Sequence, residues 1–471
     1  MTVDEAIEII TADDNSEQNI EDIRIAIVPP IENQLTLSDE DSANDDDDEP
    51  NLNHLPGRLL RSECAVQVTT EEGTTEFDEF ISNDNISDST TKTKKKHDRE
   101  WSNVQKDTRF SKAFSSSIEA KDLSEFHAMR SGICTPIDAF NTYVTDAFYE
   151  MAMHQTNVYS VQNHRPITVD RDELHVFLGV CLLSGYHELP DRRMYWSEDI
   201  DVHNELISQA ISRNRFDDIM RNFHFADNML IDDDPLYKVR PIFNILNNQL
   251  KIFPADCNLS IDETMVEYFG HHGCKQRIQG KPIRSGFKIW NLATANGRLL
   301  HSEPYCGKKT DLHDFGLGHG GNVVIGLLEK VNITSGFNVH FDNYFTTIPL
   351  IEALTQKGIG AIGTIQDKYM GNAPLPDKKS FSKVPRGEYL SCRTKSVLLV
   401  RWNDNRPVTV ATNCVPIQPV SKVKRYSSVL RRAVHVEMPG PLLAYNQNMG
   451  GVDLFDQSFN NYKVRIRSKK W

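Results

Sequence analysis

The spacing of apolar residues changes near Cys257, and this change constrains the fold more than any other feature of the sequence. From residue 101 to about residue 256, apolar side chains recur at the spacing of amphipathic helices. Asp170 precedes one such segment and can cap its first turn. After Cys257 the apolar runs are short, and Asn296-Gly297 separates two of them as in a β-hairpin. The sequence therefore predicts a helical region followed by a region of mixed strands and helices.

The second region has a definite order of predicted elements. Three strands come first, at residues 259–262, 286–294 and 299–302. A helix, a strand, a helix and a strand follow at residues 322–331, 337–341, 348–356 and 360–365. This is the element order of an α/β sandwich, and it matches the RNase H-like topology. We therefore predict an α/β fold with an RNase H-like core.

Residues 366–439 are predicted to form a β-rich and basic segment. Apolar runs at residues 396–402 and 407–412 flank a turn of Asn and Asp residues, which indicates another hairpin. The basic residues that follow this hairpin are Lys422, Lys424, Arg425, Arg431 and Arg432. They form either a solvated basic loop or a surface that contacts nucleic-acid phosphates.

Charge is distributed unevenly along the chain. Residues 1–90 contain 25 acidic and three basic residues, a net charge of −22, whereas the remaining residues have a net charge of +8. Because residues 1–100 are also poor in apolar clusters, we expect a disordered acidic arm that could bind host proteins. A basic body is compatible with a polyanionic partner. Residues 92–96 are either a nuclear import signal or a basic linker, and we expect the protein in the nucleus.

Membrane and zinc-binding classes are disfavoured. No apolar run approaches the roughly 18 residues that a membrane span needs, and the first residues do not have the pattern of a signal peptide. The eight cysteines form no closely spaced pair. No zinc site is predicted, although residues of zinc-ligand type occur in two groups: His271, His272 and Cys274, and Cys306, His313 and His319.

Four aspartates occupy positions where a sheet of this topology would bring carboxylates together. Asp262 lies in the first predicted strand of the core, and Asp342 follows the strand at residues 337–341. Asp453 and Asp456 are three residues apart, so that they share a face if they lie in a helix. Mg²⁺ (or Mn²⁺) prefers oxygen ligands, and a pair of such ions can promote phosphoryl transfer. A single aspartate at a strand end is more often a turn or cap residue, so the prediction depends on the order of all four.

Three sequence blocks contain these aspartates, namely residues 260–265 (SIDETM), 340–346 (HFDNYFT) and 445–457 (YNQNMGGVDLFDQ). They resemble the three catalytic blocks of piggyBac-type transposases. Further blocks that resemble this family are residues 192–196 (RRMYW), 222–228 (NFHFADN) and 400–405 (VRWNDN). The resemblance extends from about residue 122 to residue 471, roughly three quarters of the chain. It is nearest to the piggyBac transposable element-derived proteins of animal genomes.

This resemblance implies that Asp262, Asp342 and Asp453 are catalytic, metal-binding residues and that Asp456 is a further catalytic aspartate. Family members cut double-stranded DNA at transposon ends through hairpin intermediates and insert at TTAA sequences. A homodimer also follows from the resemblance. The implied parts are a disordered arm (1–100), a helical dimerisation and DNA-binding domain (101–257), an RNase H-like core (258–365 and 440–471) and a β-rich insertion (366–439).

Two departures from the family pattern bear on activity. The family usually continues beyond residues 465–471 into further helix and a cysteine-rich zinc domain, and Gln366-Asp367 stands where the family often has arginine. We therefore expect no transposition by this chain alone, and weak, salt-sensitive, mostly non-specific DNA binding. The residues expected to bind DNA are Lys422, Lys424, Arg425, Arg431, Arg432, Lys463, Arg465, Arg467, Lys469 and Lys470.

Two functions from different classes stay open on the sequence. The intact aspartates favour a DNA transposase-type nuclease and strand transferase. The acidic arm, the early end of the chain and Gln366-Asp367 favour a non-catalytic, domesticated DNA- or chromatin-binding protein. A metal-dependent hydrolase built on some other α/β sandwich is disfavoured by the six matched blocks.

Overall fold

The structure is a computed structural model of the chain. It describes residues 20–27, 64–70, 73–77, 99–103, 131–133, 135–230, 232–252, 254–278, 282–427 and 431–466. The chain divides into two compact units, Met1–His97 and Asp98–Trp471, and each is described by itself. Within the described residues, no helix is both long enough and apolar enough to cross a membrane.

Strands of the first unit form an antiparallel sheet in the order β1-β2-β3. Their bounds are β1 Ile20–Ile27, β2 Cys64–Thr70 and β3 Gly73–Phe77. Residues 1–100 are predicted to be disordered, and these three strands differ from that prediction. The physical reason is composition, because β1 contains four isoleucines and β2 contains two valines and two threonines, and β-branched residues favour extended backbone. Apart from Arg99 and Glu100, the rest of the predicted arm lies outside the described residues, including the basic residues 92–96.

Helices of the second unit bury a shared apolar cluster. Their bounds are α1 Pro136–Tyr143, α2 Asp146–Gln162, α3 Arg171–Leu183, α4 Glu205–Ala210, α5 Arg213–Asn222 and α6 Arg240–Leu250. Asp170 caps α3 as predicted, since its carboxylate accepts a hydrogen bond from Glu173 N at 2.9 Å. Tyr149, Leu174 and Phe216 are buried together in this cluster, so the helical spacing in the sequence marks the faces that pack.

A ten-stranded sheet forms the centre of the described part of the second unit. Its strands are β4 Ser102–Asn103, β5 Asn258–Glu267, β6 Lys275–Arg277, β7 Ser285–Thr294, β8 Leu299–Pro304, β9 Asn338–Phe341, β10 Gly360–Thr364, β11 Tyr389–Arg393, β12 Leu398–Asn403 and β13 Pro407–Thr412. The order across the sheet is β4-β11-β12-β13-β10-β9-β5-β7-β6, and β8 also pairs with β7. The pairs β5–β9 and β9–β10 are parallel, and the other neighbours run antiparallel.

Helix α7 Gly318–Lys330 packs against β7 and β8, and helix α8 Ile348–Gln356 packs against β10 and β13. Leu327, Ile351 and Phe341 are buried in the cluster between helices and sheet. The bounds of α8 match the prediction, whereas α7 begins four residues before the predicted start because its first turn is rich in glycine and has no apolar pattern. The predicted turn between β7 and β8 is confirmed, and Gly297 there has φ +86°, a conformation that glycine adopts readily.

The predicted insertion is continuous with the core sheet. β13 pairs with β10, and β12 pairs with β13, so strands from residues 366–439 extend the sheet sideways. The short helix α9 Lys378–Phe381 precedes β11. β4 pairs with β11, so Ser102 and Asn103 belong to this sheet and not to the helical region predicted from residue 101.

The C-terminal part consists of a hairpin and two helices. The hairpin contains β14 Ser421–Ser427 and β15 Arg432–Met438, and the helices are α10 Gly440–Asn448 and α11 Gly451–Asn461. One face of the hairpin is buried, because Val436 and Met438 pack with Trp402. Lys422 and Lys424 are exposed on β14, where alternation places them on the opposite face from Val423.

Arg401 of β12 is fully buried and held by four neighbours. Its Nη2 lies 2.7 Å from Asp367 Oδ1, and its Nε donates to Thr409 Oγ1 at 2.8 Å. Its Nη1 donates to the Pro376 carbonyl, and Nη2 also contacts Met370 Sδ at 3.4 Å. Asp367, one of the two residues that depart from the family pattern, therefore has a structural partner in the sheet.

Candidate functional site

Asp262 lies in β5, and Asp342 lies one residue beyond the end of β9, the parallel strand next to β5. β5 and β9 are in register with Ile261 opposite Phe341, and each aspartate comes one residue after that pair. Adjacent strands are about 5 Å apart, so the two backbones are close at this level of the sheet. The strand order thus brings together two residues that are 80 positions apart in the sequence.

Backbone hydrogen bonds hold both carboxylates in place. Asp262 Oδ1 accepts from the backbone N–H of Glu263 at 2.8 Å, and Asp342 Oδ1 accepts from Tyr344 N at 2.9 Å. Thr346 closes the turn after β9, since its hydroxyl donates to the Asp342 carbonyl at 2.6 Å. Both side chains are half-buried, so they are oriented by the chain and still accessible.

Helix α11 lies along the face of β5 that carries Asp262. Ser260, Asp262 and Thr264 share that face because side chains alternate along a strand. The Ser260 hydroxyl donates to the Met449 carbonyl just before α11, and Thr264 Oγ1 donates to Asp456 Oδ1 at 2.6 Å. Asp453, which is exposed in the first turn of α11, lies between these two attachment points.

Tyr445 of α10 shows that three of the aspartates share one region. Burial raises the pKa of Tyr445 to about 12, and the negative charges of Asp342, Asp262 and Asp453 act in the same direction. A hydrogen bond with Thr364 opposes them by lowering that pKa. All three carboxylates are therefore within electrostatic reach of one phenol, and that phenol stays protonated at neutral pH.

The three carboxylates do not form a closed ligand set. Among the described residues, no group of three or more His, Cys, Asp or Glu side chains is arranged to hold a metal ion. The described residues therefore show no preformed ligand set, and binding of an ion by Asp262, Asp342 and Asp453 stays a prediction. The donor chemistry nevertheless suits a hard cation, since carboxylate oxygens are the ligands that Mg²⁺ prefers.

Residues that sequence reasoning missed complete the surroundings of the site. Tyr445 and Thr264 lie inside the matched sequence blocks, but their roles depend on tertiary contacts. Thr264 could have been found by alternation, because it is two residues after Asp262 on the same strand face. Gln366 donates to Asn343 Oδ1 at 3.0 Å, which places it next to the turn that carries Asp342.

The basic residues predicted to bind DNA separate into three groups. Lys422, Lys424, Arg431 and Arg432 are exposed on the β14–β15 hairpin. The other described ones have acidic partners: Arg425 with Asp404 (3.1 Å), Lys463 with Glu267 (3.0 Å) and Arg465 with Glu188 (2.9 Å). Arg467, Lys469 and Lys470 lie outside the described residues. The exposed hairpin is therefore the strongest candidate for a contact with phosphates.

Gly451 allows α11 to approach the sheet closely, and this gives a stability prediction. A Cβ at residue 451 would lie 2.3 Å from the Thr294 carbonyl oxygen and 2.9 Å from Ser260 Cβ. Gly451→Ala should therefore lower the free energy of unfolding by about 2 kcal/mol, measured by urea denaturation. The neighbouring Gly450→Ala is the matched control, because no atom lies within 4 Å of its new Cβ. Equal losses in the two variants would contradict the packing argument.

Comparison with known proteins finds relatives that match most or all of the chain. The family model described as Transposase IS4 matches residues 135–471. Human PiggyBac transposable element-derived protein 3 is 33% identical over 488 residues, which cover 100% of this chain and 81% of that protein. Human PiggyBac transposable element-derived protein 2 is 33% identical over 458 residues, which cover 95% of this chain and 74% of that protein.

A solved structure shows the same fold. It is a cryo-EM structure of a piggyBac transposase synaptic complex with hairpin DNA, with a TM-score of 0.59 and 21% sequence identity. The match covers 73% of this chain and 72% of that chain. The mixed sheet with its flanking helices is therefore a transposase-type fold, and with the relatives above it shows that this chain belongs to the piggyBac family of transposases and transposable element-derived proteins.

Proposed function

We propose that this protein binds double-stranded DNA and keeps a metal-dependent phosphoryl-transfer site formed by Asp262, Asp342 and Asp453. The observation that carries the proposal is the placement of these carboxylates: Asp262 lies in β5, Asp342 directly follows the paired parallel strand β9, and Asp453 lies in the helix that packs on β5. Metal-assisted phosphoryl transfer needs side chains that hold the ion next to the reacting phosphate, and carboxylates are suited to this task. In the family this chemistry is DNA cleavage and strand transfer at TTAA.

An RNase H-like core is part of the same proposal. Its support is the strand order β8-β7-β5-β9-β10, with antiparallel pairing among the first three strands and parallel pairing from β5 to β10. The crossovers between the parallel strands contain α7 and α8. Asp262 and Asp342 then occupy the two central strands or their ends, where one substrate phosphate can approach both.

The chain's own residues have separate tasks in this site. Asp262, Asp342 and Asp453 would hold Mg²⁺ or Mn²⁺, which when bound would stabilise the negative charge that develops on the transferring phosphate. Tyr445 is uncharged at neutral pH, so its hydroxyl can donate a hydrogen bond, and burial, which raises its pKa to about 12, keeps it uncharged at alkaline pH as well. Gln366 and Asn343 fix the turn after β9 and thereby limit the movement of Asp342.

The remaining partners belong to the proposal as well. DNA would lie against the exposed face of the β14–β15 hairpin, and a homodimer, a nuclear location and host-protein contacts of the acidic arm are proposed with it. A non-catalytic DNA- or chromatin-binding protein is the second candidate. The observation that favours it is the open arrangement of the aspartates among the described residues.

A cleavage assay separates the two candidates. The full chain is incubated with TTAA-flanked duplex or hairpin DNA and Mg²⁺ or Mn²⁺, and strand breaks are counted. We expect metal-dependent cleavage that falls to background in Asp262→Asn and persists in Asp172→Asn, a control in the exposed first turn of α3. DNA binding by the wild type without metal-dependent cleavage would overturn the catalytic proposal and leave the binding protein.

Salt dependence tests the predicted DNA surface. Each phosphate contact contributes about 0.9 to the slope of log affinity against log salt concentration. Removing four charges (Lys422→Gln, Lys424→Gln, Arg431→Gln and Arg432→Gln) should therefore reduce that slope by about 3 to 4. Lys330→Gln/Lys357→Gln is the control, because both lysines are paired with acidic residues away from the hairpin. An unchanged slope in the fourfold variant would place the DNA elsewhere.

A further inference from the structure

A series of hydrogen-bonded polar residues crosses the sheet from α6 to α11. Asn247 of α6 bonds the backbone of Ser302, donating to its carbonyl and accepting from its N–H, both at 2.9 Å. Ser302 Oγ lies 2.5 Å from Asn291 Oδ1, and Asn291 Nδ2 lies 2.6 Å from Thr264 Oγ1. Thr264 Oγ1 in turn lies 2.6 Å from Asp456 Oδ1. The side chains of Asn247, Ser302, Asn291 and Thr264 are buried. Their hydrogen bonds are therefore shielded from water as far as Asp456.

The donor and acceptor chemistry of these groups fixes the direction of each hydrogen bond between Ser302 Oγ and Asp456. An ionised carboxylate can only accept hydrogen bonds, so the Thr264 hydroxyl must be the donor in its hydrogen bond with Asp456. The Thr264 oxygen is then an acceptor for the amide N–H of Asn291. The amide oxygen of Asn291 accepts from the Ser302 hydroxyl. From Ser302 Oγ onward, every side-chain donor therefore points toward Asp456, and buried bonds of this kind are costly to leave unmade.

We propose that Asp456 anchors α11 to the sheet and is not a metal ligand, and that Thr264 and Asn291 are positioning residues for Asp453. The role of Thr264 and Asn291 in positioning Asp453 rests on the proposed function, whereas the attachment of α11 to the sheet through Asp456 does not. Asp453 precedes Asp456 by three residues in α11, so any rotation or lift of this helix moves its carboxylate relative to Asp262. The sequence resemblance implies a catalytic role for both aspartates of this block, whereas the structure gives Asp456 a hydrogen-bond partner on β5.

A second attachment confines α11 from the other end. Ser260 donates to the Met449 carbonyl, and Gly451 packs against Ser260 and Thr294. Thr264 is four residues along the same strand from Ser260. With both attachments made, α11 has little freedom to tilt about either one. Breaking the Thr264–Asp456 bond leaves the attachment at Gly451 and frees the C-terminal half of the helix.

Hydrogen exchange measures the anchor without any metal. Thr264→Val removes the hydroxyl and keeps the shape, and it should raise the exchange rates of the α11 amides about tenfold. Thr264→Ser restores a hydroxyl and should return the rates to near the wild-type values. Asp456→Leu, a change at a half-buried helix position, should act like Thr264→Val. Unchanged exchange of α11 in both Thr264→Val and Asp456→Leu would overturn the anchor.

Titration with Mg²⁺ alone distinguishes an anchor from a ligand. The readout is the Mg²⁺-induced rise in Tm of the full chain. Asp453→Asn should raise the Mg²⁺ midpoint more than tenfold, whereas Asp456→Asn should stay within threefold, because an amide oxygen still accepts from Thr264. An equal loss in Asp456→Asn and Asp453→Asn would make Asp456 a ligand and contradict us. If the wild type shows no Mg²⁺ response, the proposed metal site fails, and the exchange result still decides the anchor.

Discussion

Replacing Arg401 with alanine should lower the free energy of unfolding by about 4 kcal/mol, because it removes a buried charge partner and leaves a cavity. The guanidinium is fully buried and serves Thr409, Pro376 and Asp367 together. Burial lowers the pKa of Arg401, and the charge of Asp367 opposes that shift. Asp367 is 39% exposed, so water can partly replace its lost partner, and the larger share of the loss comes from the buried oxygens and the cavity.

Urea denaturation followed by tryptophan fluorescence measures this loss. Arg406→Ala is the matched control, because Arg406 is an exposed arginine in the turn between β12 and β13 and its removal should change stability by about 0.5 kcal/mol or less. Arg401→Lys tests geometry separately from charge. A lysine cannot reproduce the planar fork of donors, so it should recover only part of the loss. Full recovery would mean that charge alone matters at this position.

Acidification should destabilise the protein through His340. This side chain is buried in β9, its Nδ1 lies 3.0 Å from the Leu259 carbonyl, and burial lowers its pKa from 6.5 to about 4. Between these pH values the unfolded chain binds a proton that the folded protein does not, so stability is fully present above pH 6.5 and falls as the pH decreases toward 4. The whole effect is about 3 kcal/mol.

The measurement compares the pH dependence of unfolding in the wild type and in His340→Phe. Other groups titrate in the same range, so the difference between the two slopes is the quantity of interest. The variant should have a flatter slope between pH 6.5 and 4, although its stability at neutral pH is lower. His154→Gln removes an exposed histidine of α2 and should leave the slope unchanged. Parallel curves for the wild type and His340→Phe would show that His340 is not responsible.

The parts of the core fold that depend on local patterns could be predicted from the sequence. The Asn296-Gly297 turn and the helix α8 follow from neighbouring residues, because turn chemistry and helical spacing act within a few positions. The pairing of β10 with β13 could not be predicted. Their residues pair across about 50 positions, and nothing in either strand states which edge of the sheet it joins. Similarly, Ser102 and Asn103 are polar and carry no strand pattern, yet they pair with β11.

The candidate site was accessible only in part for the same reason. Block resemblance identified Asp262, Asp342, Asp453 and Asp456, and strand order explains why Asp262 and Asp342 are neighbours. Their relation to Asp453 depends on how α11 lies on β5. That depends in turn on Gly451, on Thr264 and on the hydrogen bonds of Thr264 and Asn291 with their neighbours, and no short segment encodes these contacts. The exposed state of the hairpin lysines also depends on which face of β14 packs, and alternation alone leaves both choices open.

Residues 366–439 contribute strands to the core sheet, so their loss would change the sheet itself. A chain from which residues 366–439 are deleted would leave β10 without its antiparallel neighbour β13, so one row of backbone N–H and C=O groups would face solvent. Open edges of this kind recruit strands from other molecules. The β-rich segment therefore covers the edge of the sheet that β10 would otherwise expose. We expect that it can vary in its hairpins and loops but cannot be removed without causing self-association.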